Sequence, residues 1–525
     1  MRCSLASPLR KLILLIACLP IAPVLAGEHP IPPAFGPHIH LTPRDFRGVT
    51  TFSSKQRLVG TYYFYWYSTK TGEHIRNPED GSDGLTDHPP TFDDFSYTSV
   101  AWHKKQLADM EAAGIDVALM VFWGAPSEHD AKTSLHWSYA GLGPLIQARE
   151  ELLREGRHPP RIGLFYDTST LQYNEWHQHI DLTTDYGRKW FYATIRDFFS
   201  MIPPKHWAMI DGKPIVLMYA AAFAKNHDQT FVDYTRIRFR NDFGGREPYL
   251  APQDSWGVKA DNTCAWGGAF GLKNPGIGEL GPGYNDSAVY GRHPQIVDRR
   301  DGAFYEDNWK KFLRRPSNLV MIETWSEFHE GTDICDSREY GRKYIDLTRK
   351  YSDLFKRRTA PPWPVGKFTH ARAVSLTPSA QDAGLRIVTP EDGPVRLNGQ
   401  GGEAYWTTAP SQFHGKYIYF TVDDSFKRPG AMKLSLRVEY QDIAPGRLGV
   451  EFDGNNLSAP ESGAYSPGPR IQLTGDHQWK SGTFPLNGAI LDHSENGEAD
   501  FRLVIDAQDV GVRKVTLERT GPTAK

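Results

Sequence analysis

The segment 322–334, IETWSEFHEGTDI, sets two carboxylates three residues apart, Glu327 and Glu330, around His329 and beside Trp325 and Gly331. Carboxyl groups this close push each other's acidity apart, so one keeps its proton while the other is ionised. One can then protonate a leaving oxygen while the other accepts a proton, the division of labour used on glycosidic bonds. A solvent-facing polar loop would carry the same spacing, so the surroundings decide. Further short apolar segments end in rings and carboxylates: Tyr63, Tyr65, Trp66 and Tyr67; Trp123; Tyr166 and Asp167; Tyr219; Asp254 and Trp256; Trp266; Tyr284 and Asp286. Rings stack on the apolar faces of sugars and carboxylates bind their hydroxyls. Little positive charge stands among them to hold a phosphate ester. An oligo- or polysaccharide is the substrate class this pattern fits. Any one ring alone reads as core packing; the shared placement at segment ends is the signal.

A scaffold must bring these ends together. Eight apolar segments recur between Leu58 and Trp325, at 59–66, 115–123, 161–167, 214–220, 248–254, 262–268, 277–284 and 319–325. They are short and mostly rich in β-branched or aromatic residues, which predicts strands. Several are apolar throughout, as parallel strands covered on both faces should be. Helical patterns lie at 102–113, 142–155, 186–200, 302–314 and 337–354, although the connections 254–262 and 268–277 are too short for full helices. The alternation predicts an α/β fold, a (β/α)8 TIM barrel over residues 58–358, with its site at the C-terminal strand ends.

Residues 27–57 are expected to form an N-terminal arm. The Pro-rich stretch TAPPWPVG (359–366) predicts a linker. From 367 to 525 the apolar period becomes two, as in 416–424, 432–442, 446–454 and 499–507, which predicts an all-β sandwich. Tyr405, Trp406 and Tyr419 are candidates for a glycan platform there. Asp423, Asp424, Asp506 and Asp509 are candidate calcium ligands.

The chain has 525 residues, with 60 Lys+Arg against 62 Asp+Glu, 39% hydrophobic and 23% charged residues. That balance argues against a nucleic-acid partner, which requires a basic surface. Residues 1–26 read as a signal peptide, with Arg2, Arg10 and Lys11 ahead of a short apolar run and a cut expected before Gly27. Leu15 to Cys18 offers a lipoprotein alternative. Removing the leader takes the formal charge from −2 to −5. No other run predicts a transmembrane helix, so the mature protein is expected in the periplasm or outside the cell. Cys3 and Cys18 leave with the leader, and Cys264 and Cys335 form a candidate disulfide in an exported chain.

Glu327-Phe328-His329-Glu330-Gly331-Thr332 resembles the NEWHEGT signature of glycoside hydrolase family 99, the endo-α-mannosidases. GTYYFYWY (60–67), AGIDVALMVFWG (113–124), DGKPIVLMY (211–219) and GPGYND (281–286) resemble the first, second, fourth and seventh strands of that family. TWSEFHEGTDI followed by REYGRKYIDLTRKY is similar to a related bacterial group of barrel proteins of unknown function that also carry a C-terminal β-module. The resemblance implies a retaining endo-glycosidase acting on α-linked, mannan-like glycans with no metal or cofactor. It also implies that the substrate's own 2-hydroxyl attacks the anomeric carbon to give a 1,2-anhydro sugar. By position, Glu327 takes the 2-hydroxyl proton, while Glu330 protonates the leaving oxygen and then activates water. Three positions depart from the pattern: Ser326 stands for Asn, Phe328 for Trp, and Asn285 where Asp is frequent. The alternatives are a glycosidase of the same barrel for a different sugar, and a glycan-binding surface protein without turnover.

Overall fold

The computed structural model describes residues 28–520, except 127, 129, 131, 315, 360–361, 380–382, 411–415 and 457–458. The expected signal peptide lies outside them, as do Cys3 and Cys18. No helix among the described residues is long and apolar enough to cross a membrane.

Strands β1 (Leu58–Tyr63) and β2 (Val117–Phe122) are buried along their whole length, which is why their sequences carry no polar alternation. They belong to one parallel sheet with β3 (Arg161–Tyr166), β4 (Lys213–Met218), β5 (Tyr249–Pro252), β6 (Gly278–Leu280) and β7 (Leu319–Ile322). The order is β5-β4-β3-β2-β1-β7-β6, so the chain winds one strand at a time and its last strand returns to its first. Leu58 pairs with Leu319 across that return. Helices α1 (Val100–Ala113), α2 (Leu142–Arg154), α3 (Asp185–Met201), α4 (Thr230–Asp242), α5 (Ala303–Arg314) and α6 (Lys343–Lys356) fill the connections. Ser99 caps α1 by accepting the Trp102 amide, and Gly114 ends it at φ 79°, a left-handed conformation that suits glycine.

The structure corrects the sequence reading at three elements. The segment 262–268 is not a strand. Cys264 makes one isolated bridge to Gln253, its amide donates to the Pro252 carbonyl at 3.1 Å, and Ile277 donates to the Thr263 carbonyl at 2.9 Å. The ladder therefore stops between β5 and β6, where glycines and short connections replace a β-forming run. Helix α4 was not anticipated, because Arg236, Arg238 and Arg240 interrupt the stripe formed by Phe231, Thr235 and Phe239. Helix α6 starts at Lys343 rather than Ser337, since Ser337 and Gly341 pair in a tight turn ahead of it.

Beyond residue 372 the described chain is mostly strand, in two antiparallel sheets. The strand Met432–Gln441 buries every second residue, as its period of two requires. Leu436 and Val438 of one sheet and Leu448, Val450 and Phe501 of the other share a single apolar cluster, the arrangement of two facing sheets. Tyr419 is fully buried, its hydroxyl donating to Asp392 at 2.7 Å, and Tyr405 packs edge-on to Trp479, so the three rings make no common platform. Asp506 pairs with Arg447 while Asp424 faces Lys427 and His493. Among the described residues no group of three or more His, Cys, Asp or Glu side chains is placed to hold a metal.

Candidate active site

The loop that follows β7 carries Glu327, His329 and Glu330 and is pinned from every side. Thr324 and Thr332 close its base, with the Thr324 amide on the Thr332 carbonyl at 2.8 Å. The Ser326 hydroxyl donates to the Phe64 carbonyl at 2.8 Å, and the Phe328 amide donates to the Tyr67 hydroxyl at 2.9 Å. Thr86 donates through its amide to the Phe328 carbonyl at 2.9 Å and through its hydroxyl to the His329 carbonyl at 2.7 Å. Buried Arg299 donates to the carbonyls of Gly331 and Asp333 and to the carboxylates of Asp87 and Asp333, at 2.8 to 3.1 Å. Its guanidinium lies against the rings of Tyr340 and Tyr344. Such a loop holds its carboxylates still before any substrate arrives, which is the condition for oriented acid-base work.

Glu327 is 3% exposed. Its Oε1 accepts from the His329 amide at 3.0 Å and lies 2.8 Å from His329 Nδ1, while its buried Oε2 has no hydrogen-bond partner. Glu330 takes the Arg292 guanidinium at 2.7 Å, and Arg292 also reaches the Tyr284 hydroxyl and Asp286. Burial, followed by the nearby Glu327, pushes the Glu330 carboxyl above the usual range, and Arg292 pulls it back down. One loop thus carries both the unpartnered oxygen of Glu327 and a Glu330 carboxyl raised above its ordinary range.

Several anticipated side chains gather around this pair. The Trp66 ring lies edge-on to Trp123 at 5.3 Å and to His329 at 5.4 Å, and its buried indole N–H has no acceptor. The Trp123 indole donates to Asp167 at 2.5 Å, and burial raises that carboxyl. Trp266 packs on Tyr219 at 5.4 Å. Burial lifts the Tyr219 phenol to about 12, with Asp167, Glu330 and Glu323 adding to the shift. Tyr284 and Asp286 share a contact at 3.3 Å beside Arg292.

Others point elsewhere. Tyr63 bonds His103 of α1 at 3.0 Å, Tyr65 donates to the Ser138 carbonyl at 2.8 Å, and Tyr166 packs on Phe191 of α3. Trp325 donates to Gln106 of α1 at 2.7 Å, and Trp256 packs on Phe231 of α4. These five rings belong to the layer between sheet and helices rather than to the mouth, and Asp254 is solvent-facing. Cys264 and Cys335 are free, not bridged. The first lies 3.3 Å from the Ala251 carbonyl; the second is buried near Lys105 and Asp109 of α1.

The sequence reading missed Tyr62, Glu279, Glu323 and Arg292. Tyr62 donates to Glu279 Oε1 at 2.9 Å inside the sheet, and Glu323 lies beside them. Arg292 sits in the irregular stretch after Asp286, where no pattern marks it.

Residues 67–362 match the family described as Domain of unknown function (DUF5010). A stretch of 96 residues is 30% identical to the Mus musculus glycoprotein endo-alpha-1,2-mannosidase, covering 15% of this chain and 21% of that protein. The chain thus spans about a fifth of the length of the curated relative that it matches. The solved GH99 endo-alpha-mannosidase from Bacteroides thetaiotaomicron is similar over 59% of this chain and 100% of its own, with a TM-score of 0.43 and 13% identity. A glycoside hydrolase-like protein is similar over 60% and 99%, with a TM-score of 0.40 and 15% identity.

Proposed function

We propose, from the premise that this chain belongs to the DUF5010 family, that it is an exported retaining endo-glycosidase that cuts α-linked, mannan-like glycans at the mouth of a (β/α)8 barrel. The observation that carries the reading is the pairing of Glu327 Oε2, buried and without a partner, with Glu330 three residues on, whose carboxyl burial and Glu327 hold above the usual range. A buried carboxylate oxygen lacking a donor is costly to maintain, and a sugar hydroxyl satisfies it. Glu327 takes the proton of the 2-hydroxyl as that oxygen attacks the anomeric carbon and the glycosidic bond breaks. Glu330 gives its proton to the leaving oxygen. Glu330 then draws a proton from water as the water oxygen attacks the anomeric carbon, the C1–O2 bond of the 1,2-anhydro ring breaks and Glu327 returns its proton to the 2-oxygen, and retention follows from two inversions. Trp66, Trp123, Tyr219 and Trp266 supply ring faces, and Asp167 and Asp286 bind hydroxyls. The match to an endo-alpha-1,2-mannosidase supports the sugar class.

Incubation with a panel of α- and β-linked glycans, with products read by mass spectrometry, tests the proposal. Release of an oligosaccharide from an α-mannan by the wild type, and loss of release in Glu327→Gln, is the expected result. A second reading, the same chemistry on another sugar, is favoured by Ser326. Its hydroxyl is engaged by the Phe64 carbonyl and offers substrate no amide. The same panel separates the two. Binding without cleavage of any member would show a glycan-binding protein instead.

A further inference from the structure

One wall of the mouth is held by no strand. Residues 266–270 cross the gap between β5 and β6. Trp266 stacks on Phe165 at 5.2 Å and packs on Tyr62 at 5.2 Å, while Phe270 covers Tyr284 at 4.5 Å. Beneath this wall lie two carboxyls shut from water, Glu279 at 0% and Glu323 at 2% exposure. The Gly267 amide donates to both Glu323 oxygens, at 3.1 and 3.0 Å, and the Ala269 amide reaches Oε2 at 3.4 Å. Glu279 accepts from Tyr62, and its Oε2 is buried without a partner. The wall comes this close because two residues lack a Cβ. One at Gly268 would lie 2.6 Å from the Leu280 nitrogen, and one at Gly281 would lie 2.8 Å from the Ala269 Cα. Packing alone does not call for this, since apolar side chains would fill the same space without the penalty of burying acids.

We propose that Glu323 is a positioning residue of the site, a latch that sets the Trp266 wall by gathering the amides of Gly267 and Ala269. Calling this wall part of a sugar site rests on the function proposed above; the latch itself does not. The groups facing Glu323 are Glu279 from β6, Tyr62 from β1, Cys264, Tyr219 and Lys273. Burial raises the Glu323 carboxyl to about 7, against the pull of the Gly268, Gly267 and Ala269 amides. Burial and then the charge of Glu323 hold Glu279 well above the carboxylate range. In an open wall Glu323 meets water and ionises at its ordinary, lower value. The closed wall therefore binds the proton more tightly, and raising the pH through about 7 favours opening.

Amide hydrogen exchange of the peptide covering 266–270, in the whole protein and without substrate, tests the latch. After correction for intrinsic rates, exchange should be on the order of tenfold faster at pH 8.5 than at pH 5.5. Glu323→Gln is a neutral isostere whose carbonyl can take the amides while its NH₂ faces Glu279 Oε2. It should keep the slow, low-pH rate at both pH values. Glu279→Gln should keep the wild-type pH response, because the wall amides are held by Glu323. Equal protection of the wild type at both pH values overturns the proposal, as does a wild-type pH response in Glu323→Gln. Should Glu323→Gln fail to fold, the wild-type and Glu279→Gln series still decide. A mannan-inactive protein that shows the exchange pattern would sink the proposed function and leave the latch standing.

Discussion

One oxygen of Glu327 receives both the main-chain amide and the ring Nδ1 face of His329, at 3.0 and 2.8 Å, while the second oxygen is buried without a hydrogen-bond partner. His329 thereby fixes which oxygen is available and where it points. Ring orientation is in turn set by Trp66 and Tyr67, each 5.4 Å away between ring centres.

The two glutamates should fail differently. Glu330→Gln should retain the first step on an activated aryl glycoside, which needs little protonation, and lose about 10²–10⁴-fold on a natural glycan. Glu327→Gln should lose a comparable factor on both, since the 2-hydroxyl has no other base. Assay of both variants on both substrates is the check. Full activity of Glu327→Gln would move attention to Asp167 and Asp286.

Arg292 should set the alkaline edge of activity. Glu330 must be protonated to act as the acid, so kcat/KM should fall as pH rises through its raised pKa. Arg292 lowers that pKa. Arg292→Met therefore should shift the alkaline limb to higher pH, and a pH-rate profile of the two proteins measures the shift. An unmoved limb would assign the acid to another group.

Arg299 should be a stability residue first. Its removal leaves Asp87 and Asp333 buried without a cation, a loss of about 3–5 kcal/mol for a broken buried pair. Urea unfolding of Arg299→Met should show it, and adding Asp87→Asn should recover part, because Asp87 no longer repels the buried Asp333 carboxyl. No recovery would mean that packing against Tyr340 and Tyr344 carries the effect instead.

The thiols should be silent. With Cys264 and Cys335 free and buried, a reductant should leave Tm unchanged. A thiol reagent should count both only after unfolding. A reductant-dependent fall in Tm would indicate a bridge.

Legibility in the sequence followed the physics of each element. Glu327 and Glu330 stood out because charged residues interrupt an apolar run. The sequence does not tell Tyr62 from Tyr63, because a strand buried on both faces has no polar alternation to say which side is which. The structure turns Tyr62 toward Glu279 and Tyr63 toward His103. Glu279 and Glu323 went unnoticed for the same reason, each lying in a run that reads as core. The sandwich strands were legible because one face meets water and the period of two survives.

The break in the parallel ladder at Cys264 makes the sheet mechanically uneven. Where every other neighbour pair shares a run of registered bonds, this joint has a bridge and a few single bonds. Strain applied to the sheet, by heat, by denaturant or by a bulky branched ligand, collects at the joint with the fewest bonds across it. The glutamates ride the loop after β7, whose ladders to β1 and β6 are unbroken, so this joint can spread while the distance between Glu327 and Glu330 stays fixed.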